Sequence, residues 1–280
     1  DSIVNCDEIW CKVRKYDHYK KCYIWVLVNK AERVVIFFYD NGSRGRDVLT
    51  DFIGDAELKS IMSDGYNAYT FIGNELKAAE TPNLSKTDHQ VCLAHARAKF
   101  VKASEPAGDK NADIFIKYIE DLYNLERQYT KDNLTDEERG KQCQDLETKG
   151  ILINLRTHLC IEKSKDPATV TPYLQKALNY LDTFGANIFT YIKDGSYPID
   201  DNAAERAVRP LTTQRNNMLH FGSDEGAKMA ATYHSIISTV KLQGRSAWDY
   251  LGKFFVNIFY GCRDFSVCCQ AISDWQHANS

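Results

Sequence analysis

Alternating apolar and polar positions dominate the first forty residues. Over residues 3–13, Ile3, Asn5, Asp7, Ile9, Cys11 and Val13 share one face of an extended chain, and Val4, Cys6, Glu8 and Trp10 share the other. Both faces are largely apolar, which predicts a strand covered on both sides. Residues 22–29 and 33–39 follow as two more strands joined by the turn Asn29-Lys30-Ala31-Glu32, an antiparallel meander. Asp40-Asn41-Gly42-Ser43 carries turn chemistry. A helix is predicted over residues 46–53, strands over 59–63 and 90–94, and a helix over 95–104.

The period then changes. From about residue 106 to 184 there is little strand signal, and Phe115, Tyr118, Ile119, Leu122 and Leu125 recur at helical spacing. Thr135-x-x-Glu138 has the form of a capping box, and Thr171-Pro172 of a helix start. Asp194-Gly195-Ser196-Tyr197-Pro198 reads as a loop. Asp201 or Asn202 can cap a short helix through Val208, which Pro210 would end. Residues 217–221 read as a strand. Ser223 caps a long helix to about Gln243, with Asp224 and Glu225 in its first turn and Gly244 past its end. Trp248, Leu251, Phe254 and Phe255 mark a last helix. The expected division is a first core segment at 1–104, an all-α insertion at 105–193, a second core segment at 194–262 and a C-terminal tail at 263–280.

Composition narrows the function classes. With 44% hydrophobic and 12% aromatic residues, the 280-residue chain can bury a core and is not a disordered one. The net charge of −3 argues against a protein that coats nucleic acid by charge alone, so any such contact must use local patches or a metal. No apolar run approaches the roughly 18 residues of a membrane span. The nine cysteines form no C-x-x-C pair, which leaves a zinc ribbon unsupported and reads as reduced thiols in a cytoplasmic protein. The chain opens Asp-Ser-Ile without a Met, as a piece of something longer would.

Three carboxylates stand out in this order of elements: Asp7 in the first strand, Asp64 at the end of the fourth, and Glu205 at a late helix. A charge in mid-strand among apolar neighbours is costly unless paired or metal-bound. Glu8 is the competitor on the opposite face, and Asp200 and Asp201 compete with Glu205. Asp64-Gly65 also fits an ordinary turn, and Glu205 also fits a solvated pair with Arg209 at i+4. Cys92 and His95 are two potential ligands without a second pair, so His95 reads as a satisfied polar residue or a phosphate contact. Arg206, Arg209 and Arg215 fit either a solvated face or a bidentate phosphate clamp.

The order of elements is similar to that of the ribonuclease H-like fold, and local motifs carry the resemblance further. Cys6-Asp7-Glu8-x-Trp10, Gly42-Ser43-Arg44-Gly45 and Ser63-Asp64-Gly65-Tyr66-x-x-Tyr69 resemble successive motifs of DDE transposases of the insertion sequence 66 family. So do Cys92-x-x-His95-Ala96-Arg97-x-x-Phe100 and Asp201-Asn202-Ala203-Ala204-Glu205-Arg206-Ala207-x-Arg209-Pro210, followed by Gln214-Arg215-Asn216-Asn217 and Phe221-Gly222-Ser223. The match runs from Asp7 to about Leu251. Ala98 stands where the family usually has a basic residue, and the family's N-terminal region is expected to lie outside these 280 residues.

The resemblance implies an α/β ribonuclease H-like mixed sheet with flanking helices, interrupted by an all-α insertion. It implies that Asp7, Asp64 and Glu205 are catalytic and hold two Mg2+ (or Mn2+) ions. It places Arg44, His95, Arg97, Arg206, Arg209 and Arg215 in contact with DNA. The implied reaction is hydrolysis at transposon ends, then attack of the freed 3′-OH on target DNA, by a homo-oligomer assembled on DNA and associated with the bacterial nucleoid. A ribonuclease H-like nuclease or resolvase, and a domesticated protein that only binds DNA, are the rival expectations.

Overall fold

The computed structural model describes residues 2–73, 82–106 and 108–263. In chain order the elements are β1 (Ser2–Arg14), β2 (Tyr19–Asn29), β3 (Val34–Phe38), α1 (Arg46–Ile53), β4 (Leu58–Ser63), β5 (Asp88–Val91), α2 (Leu93–Ser104) and α3 (Lys110–Lys131). They continue with α4 (Asp136–Cys143), α5 (Leu146–Ser164), α6 (Pro172–Ile188), α7 (Asn202–Met218), α8 (Asp224–Leu242) and α9 (Ala247–Phe259). The five strands form one mixed sheet in the order β3-β2-β1-β4-β5. The chain divides into two compact units, Asp1–Asp7 with Gly45–Glu205, and Glu8–Arg44 with the chain from Arg206 onward. β1 and α7 each contribute to both.

In the first unit, the start of β1 pairs in parallel with β4, from Ser2 opposite Leu58 to Asn5 opposite Met62, and β4 pairs in parallel with β5. Val4, Asn5 and Cys6 are buried in succession, as expected for a strand covered on both faces. From Ile9 onward, in the other unit, burial alternates. The strand–helix junction lies earlier than the apolar run predicts. β5 ends at Val91 and α2 begins at Leu93, because Leu93, Ala96, Phe100 and Ala103 bury one helical face. That face packs on α3 and α6, with Phe100 stacked on Phe115 at 4.5 Å between ring centroids. The predicted capping box is present: Thr135 accepts the Glu138 N–H, and Glu138 accepts the Thr135 N–H. Thr171 caps α6 with Pro172 at its first position. Between residues 105 and 193 the described residues contain helices and no strand.

In the second unit, β2 and β3 pair antiparallel, from Trp25 opposite Phe38 to Asn29 opposite Val34. β3 is a sheet edge, and α8 covers it. Ser235 and Thr239, one turn apart on α8, bond the backbone N–H and C=O of Phe37 and Val35 at 2.7–3.1 Å. Gly42 takes φ +73°, and a Cβ there would lie 2.3 Å from Cys22 Sγ, so the turn after β3 needs glycine. Two expectations are corrected here. Pro210 does not end the helix begun at Asn202; α7 continues to Met218 with Pro210 inside it, on an exposed face. A proline forfeits one helical N–H bond without forcing termination. The strand expected at 217–221 shrinks to a single bridge between Phe221 and Val13, because α7 occupies its first two positions. Among the described residues, Cys6, Cys11, Cys22, Cys92, Cys143, Cys160 and Cys262 form no disulfide. Cys268, Cys269 and the tail from residue 264 lie outside the described residues. Among the described residues no helix is long and apolar enough to cross a membrane.

Candidate active site

Adjacent acids on β1 have different fates. Glu8 accepts the Arg44 Nε at 2.8 Å and pairs with a second guanidinium nitrogen, and its side chain is only 2% exposed. The rival acid is thus a buried ion-pair partner. Asp7 points to the opposite face and is half-buried at the point where β1 runs past its pairing with β4. Asp64 follows the last residue of β4, and its Oδ1 accepts the Tyr66 N–H at 2.8 Å. Gly65 serves more than the turn: a Cβ there would lie 2.6 Å from the Tyr180 ring and 2.8 Å from that of Phe184. The helical segment therefore packs directly on the Asp64-Gly65 backbone. Glu205 sits in the first turn of α7, where the helix dipole favours an acid.

The three carboxylates of the first unit meet electrostatically at a fourth. Asp201 is 1% exposed, and its carboxylate accepts the Asn5 amide at 2.8 Å. Burial pushes its pKa well above the usual carboxylate range; the Asn5 hydrogen bond opposes this, and the charges of Asp7, Glu205 and Asp64 add to it. Each of the three thus disfavours a further charge at Asp201. Asp201, weighed from sequence as a rival ligand or a helix cap, is a buried partner of Asn5 at the residue just before α7. An asparagine between apolar Val4 and Cys6 was the signal for such a partner.

Cys92, His95 and Glu205 also cluster, with one potential ligand atom from each within 4.8 Å of the others. The Cys92 thiol is fully buried, which pushes its pKa up to about 12. Its sulfur accepts the Asp201 N–H at 3.2 Å. A thiol held protonated at neutral pH is a poor metal ligand. His95 Nδ1 stands 3.7 Å from Glu205 Oε1 and makes no hydrogen bond among the described residues. Of this trio, the carboxylate is the donor suited to a hard cation.

The basic residues divide. Arg44 is engaged by Glu8 and lies 5.1 Å from the centre of the Tyr23 ring. Arg215 stacks on Trp10 at 4.3 Å and donates to its carbonyl at 3.2 Å. Arg97 lies 3.9 Å from Glu120. Arg206 and Arg209 are exposed on α7.

What emerges is an α/β protein with acids in mid-β1, just after β4 and at the start of α7. A model of the family described as "Transposase IS66 family" matches residues 1–229. The chain belongs to that family. It is 26% identical over 201 residues to uncharacterized protein y4jD of Sinorhizobium fredii (strain NBRC 101917 / NGR234), covering 72% of this chain and 38% of the relative. It is 29% identical over 234 residues to uncharacterized protein y4qI of the same organism, covering 81% of this chain and 41% of the relative. The chain therefore spans about two fifths of the length of these relatives.

Proposed function

We propose that this chain is the catalytic part of a DDE-type transposase with a ribonuclease H-like core, acting on transposon ends and target DNA. The observation that carries the reading is the joint action of Asp7, Asp64 and Glu205 on buried Asp201. Three acids that each raise the cost of a charge at one buried carboxylate make a setting that a divalent cation would relieve. Their chemistry fits Mg2+ or Mn2+, since hard divalent ions take carboxylate oxygens.

Asp7, Asp64 and Glu205 would hold two such ions. Bound there, the ions supply charge neutralisation at the phosphate and an acidified water or hydroxyl nucleophile. The chain's own work is positioning: β1 and β4 fix Asp7 and Asp64 from the rigid sheet, and α7 brings Glu205. Arg206 and Arg209, exposed on α7, would contact DNA phosphates. Strand transfer, assembly of a homo-oligomer on DNA and association with the nucleoid belong to the same proposal.

The test is a thermal melt with Mg2+ or Mn2+ beside a cleavage assay on end-bearing duplex DNA. At metal a hundredfold above Kd, the wild type should gain about 2.7 kcal/mol for each ion bound. Asp7→Asn should fold, and should lose both that gain and cleavage. A wild-type melt unmoved by millimolar metal would sink the reading.

A further inference from the structure

A buried hydrogen-bond chain runs behind the three carboxylates. Cys92 N–H donates to the Ser63 carbonyl at 2.9 Å, Asp201 N–H donates to Cys92 Sγ at 3.2 Å, and Asn5 Nδ2 donates to Asp201 Oδ1 at 2.8 Å. Asn5, Ser63, Cys92 and Asp201 are all at most 3% exposed. Each of three links stands next to a site carboxylate in sequence. Asn5 is two residues before Asp7 on the same strand face, Ser63 adjoins Asp64, and Asp201 lies one helical turn before Glu205. The Asp201 carbonyl accepts the Glu205 N–H at 3.1 Å, and the Ile199 carbonyl accepts the Leu93 N–H at 3.4 Å. The start of α7 is thus tied to β1 by a side chain and to the β5–α2 junction by backbone.

We propose that Asp201 is a positioning residue: by accepting the Asn5 amide it clamps the first turn of α7 to β1 and sets where Glu205 stands relative to Asp7 and Asp64. The inference rests on the reading that those three carboxylates hold divalent ions, and deepens it. The clamp uses an acceptor oxygen at Asp201, not a charge offered to a ligand. An asparagine there keeps an acceptor oxygen. An alanine leaves the Asn5 amide unpartnered in a dry site and frees the helix start. Outer partners that orient metal ligands typically govern affinity by about ten- to a hundredfold.

The experiment is Mn2+ titration of the chain, read by the spin-resonance signal of free Mn2+, with a urea melt of every variant. Asp201→Asn should bind Mn2+ within about threefold of wild type. Asp201→Ala and Asn5→Ala should each weaken binding by about tenfold or more. The double variant should lose little beyond either single one, because both remove the same contact. Should Asp201→Ala fail to fold, Asn5→Ala and Asp201→Asn carry the test.

If Asp201→Asn loses as much affinity as alanine, the carboxylate is itself a ligand and the proposal falls. If Asn5→Ala binds Mn2+ like wild type, the clamp does not position Glu205 and the proposal falls. Failure of the wild type to bind Mn2+ is a different result. It overturns the metal-site reading beneath the proposal, and the clamp's role toward metal with it.

Discussion

Buried acids in the helical segment and at the sheet end are handled in opposite ways. Glu126 on α3 is 8% exposed and pairs with Arg139 of α4, and Cys143 donates to it at 3.6 Å. Glu162 on α5 is 2% exposed and accepts both contacts of Lys165, at 2.7 and 2.8 Å. At the sheet end, Asp201 is just as buried, but its partner is a neutral amide, and three more carboxylates raise the cost of its charge. Within one unit, the chain compensates charge where the role is structural. At the sheet end it sets further acids near a buried one.

The largest expected effect breaks the compensated side. Arg139→Ala leaves Glu126 buried without its counter-ion, which should cost about 3 kcal/mol in a urea melt. Asp7→Asn at the sheet end should have the opposite sign in metal-free buffer, since it removes one of the charges acting on Asp201. Equal destabilisation by both variants would erase the contrast.

A smaller effect lies in pH. Asp201 in the native state, facing Asn5, Asp7, Glu205 and Asp64, keeps its proton above the pH at which the unfolded chain releases it. Its contribution to stability is therefore full below the unfolded carboxylate pKa of about 3.9, and is lost as pH rises toward the native value. The loss amounts to about 1.4 kcal/mol for each unit between the two values. Asp201→Asn should remove this decline, so the variant-minus-wild-type stability, measured in chelator, should rise with pH. A flat difference would show that Asp201 ionises alike folded and unfolded.

Much of this contrast was legible in the sequence, and the rest was hidden for identifiable reasons. Alternation located β1, and helical spacing located the Phe115–Leu125 stripe, because burial on one face imposes those periods. Asp7 stood out as an acid in mid-strand, Asp64 and Glu205 as acids at element ends, and a family resemblance singled them out from Glu8 and Asp200. Burial of Glu8 against Arg44 could not be read locally, since the partners are 36 residues apart. Asp201 was hidden for the same reason, with 196 residues between it and Asn5. Pro210 misled because an exposed helix tolerates one missing bond that the local rule counts as a stop. Gly65 was read as turn chemistry, whereas its lack of a Cβ also admits Tyr180 and Phe184 from more than a hundred residues away.

The smallest effect asks whether the helical segment acts on the site or only beside it. The Thr171 hydroxyl does two jobs: it accepts the Leu174 N–H at 3.3 Å, capping α6, and donates to Asp109 Oδ2 at 2.7 Å. Asp109 in turn accepts the Asn111 N–H at 3.0 Å and caps α3. Thr171→Ala should therefore loosen both helix starts and cost about 1 kcal/mol, the usual loss of one cap. α6 also carries Tyr180 and Phe184 against Gly65, beside Asp64. The contact lies near the middle and end of the helix, about two and a half to three and a half turns from Thr171, so fraying at the first turn should not reach it. Stability in urea should fall while the Mn2+ midpoint stays put. A Mn2+ affinity that falls in step with stability would mean that the compensated region holds Asp64 in place, and that the two regions work as one.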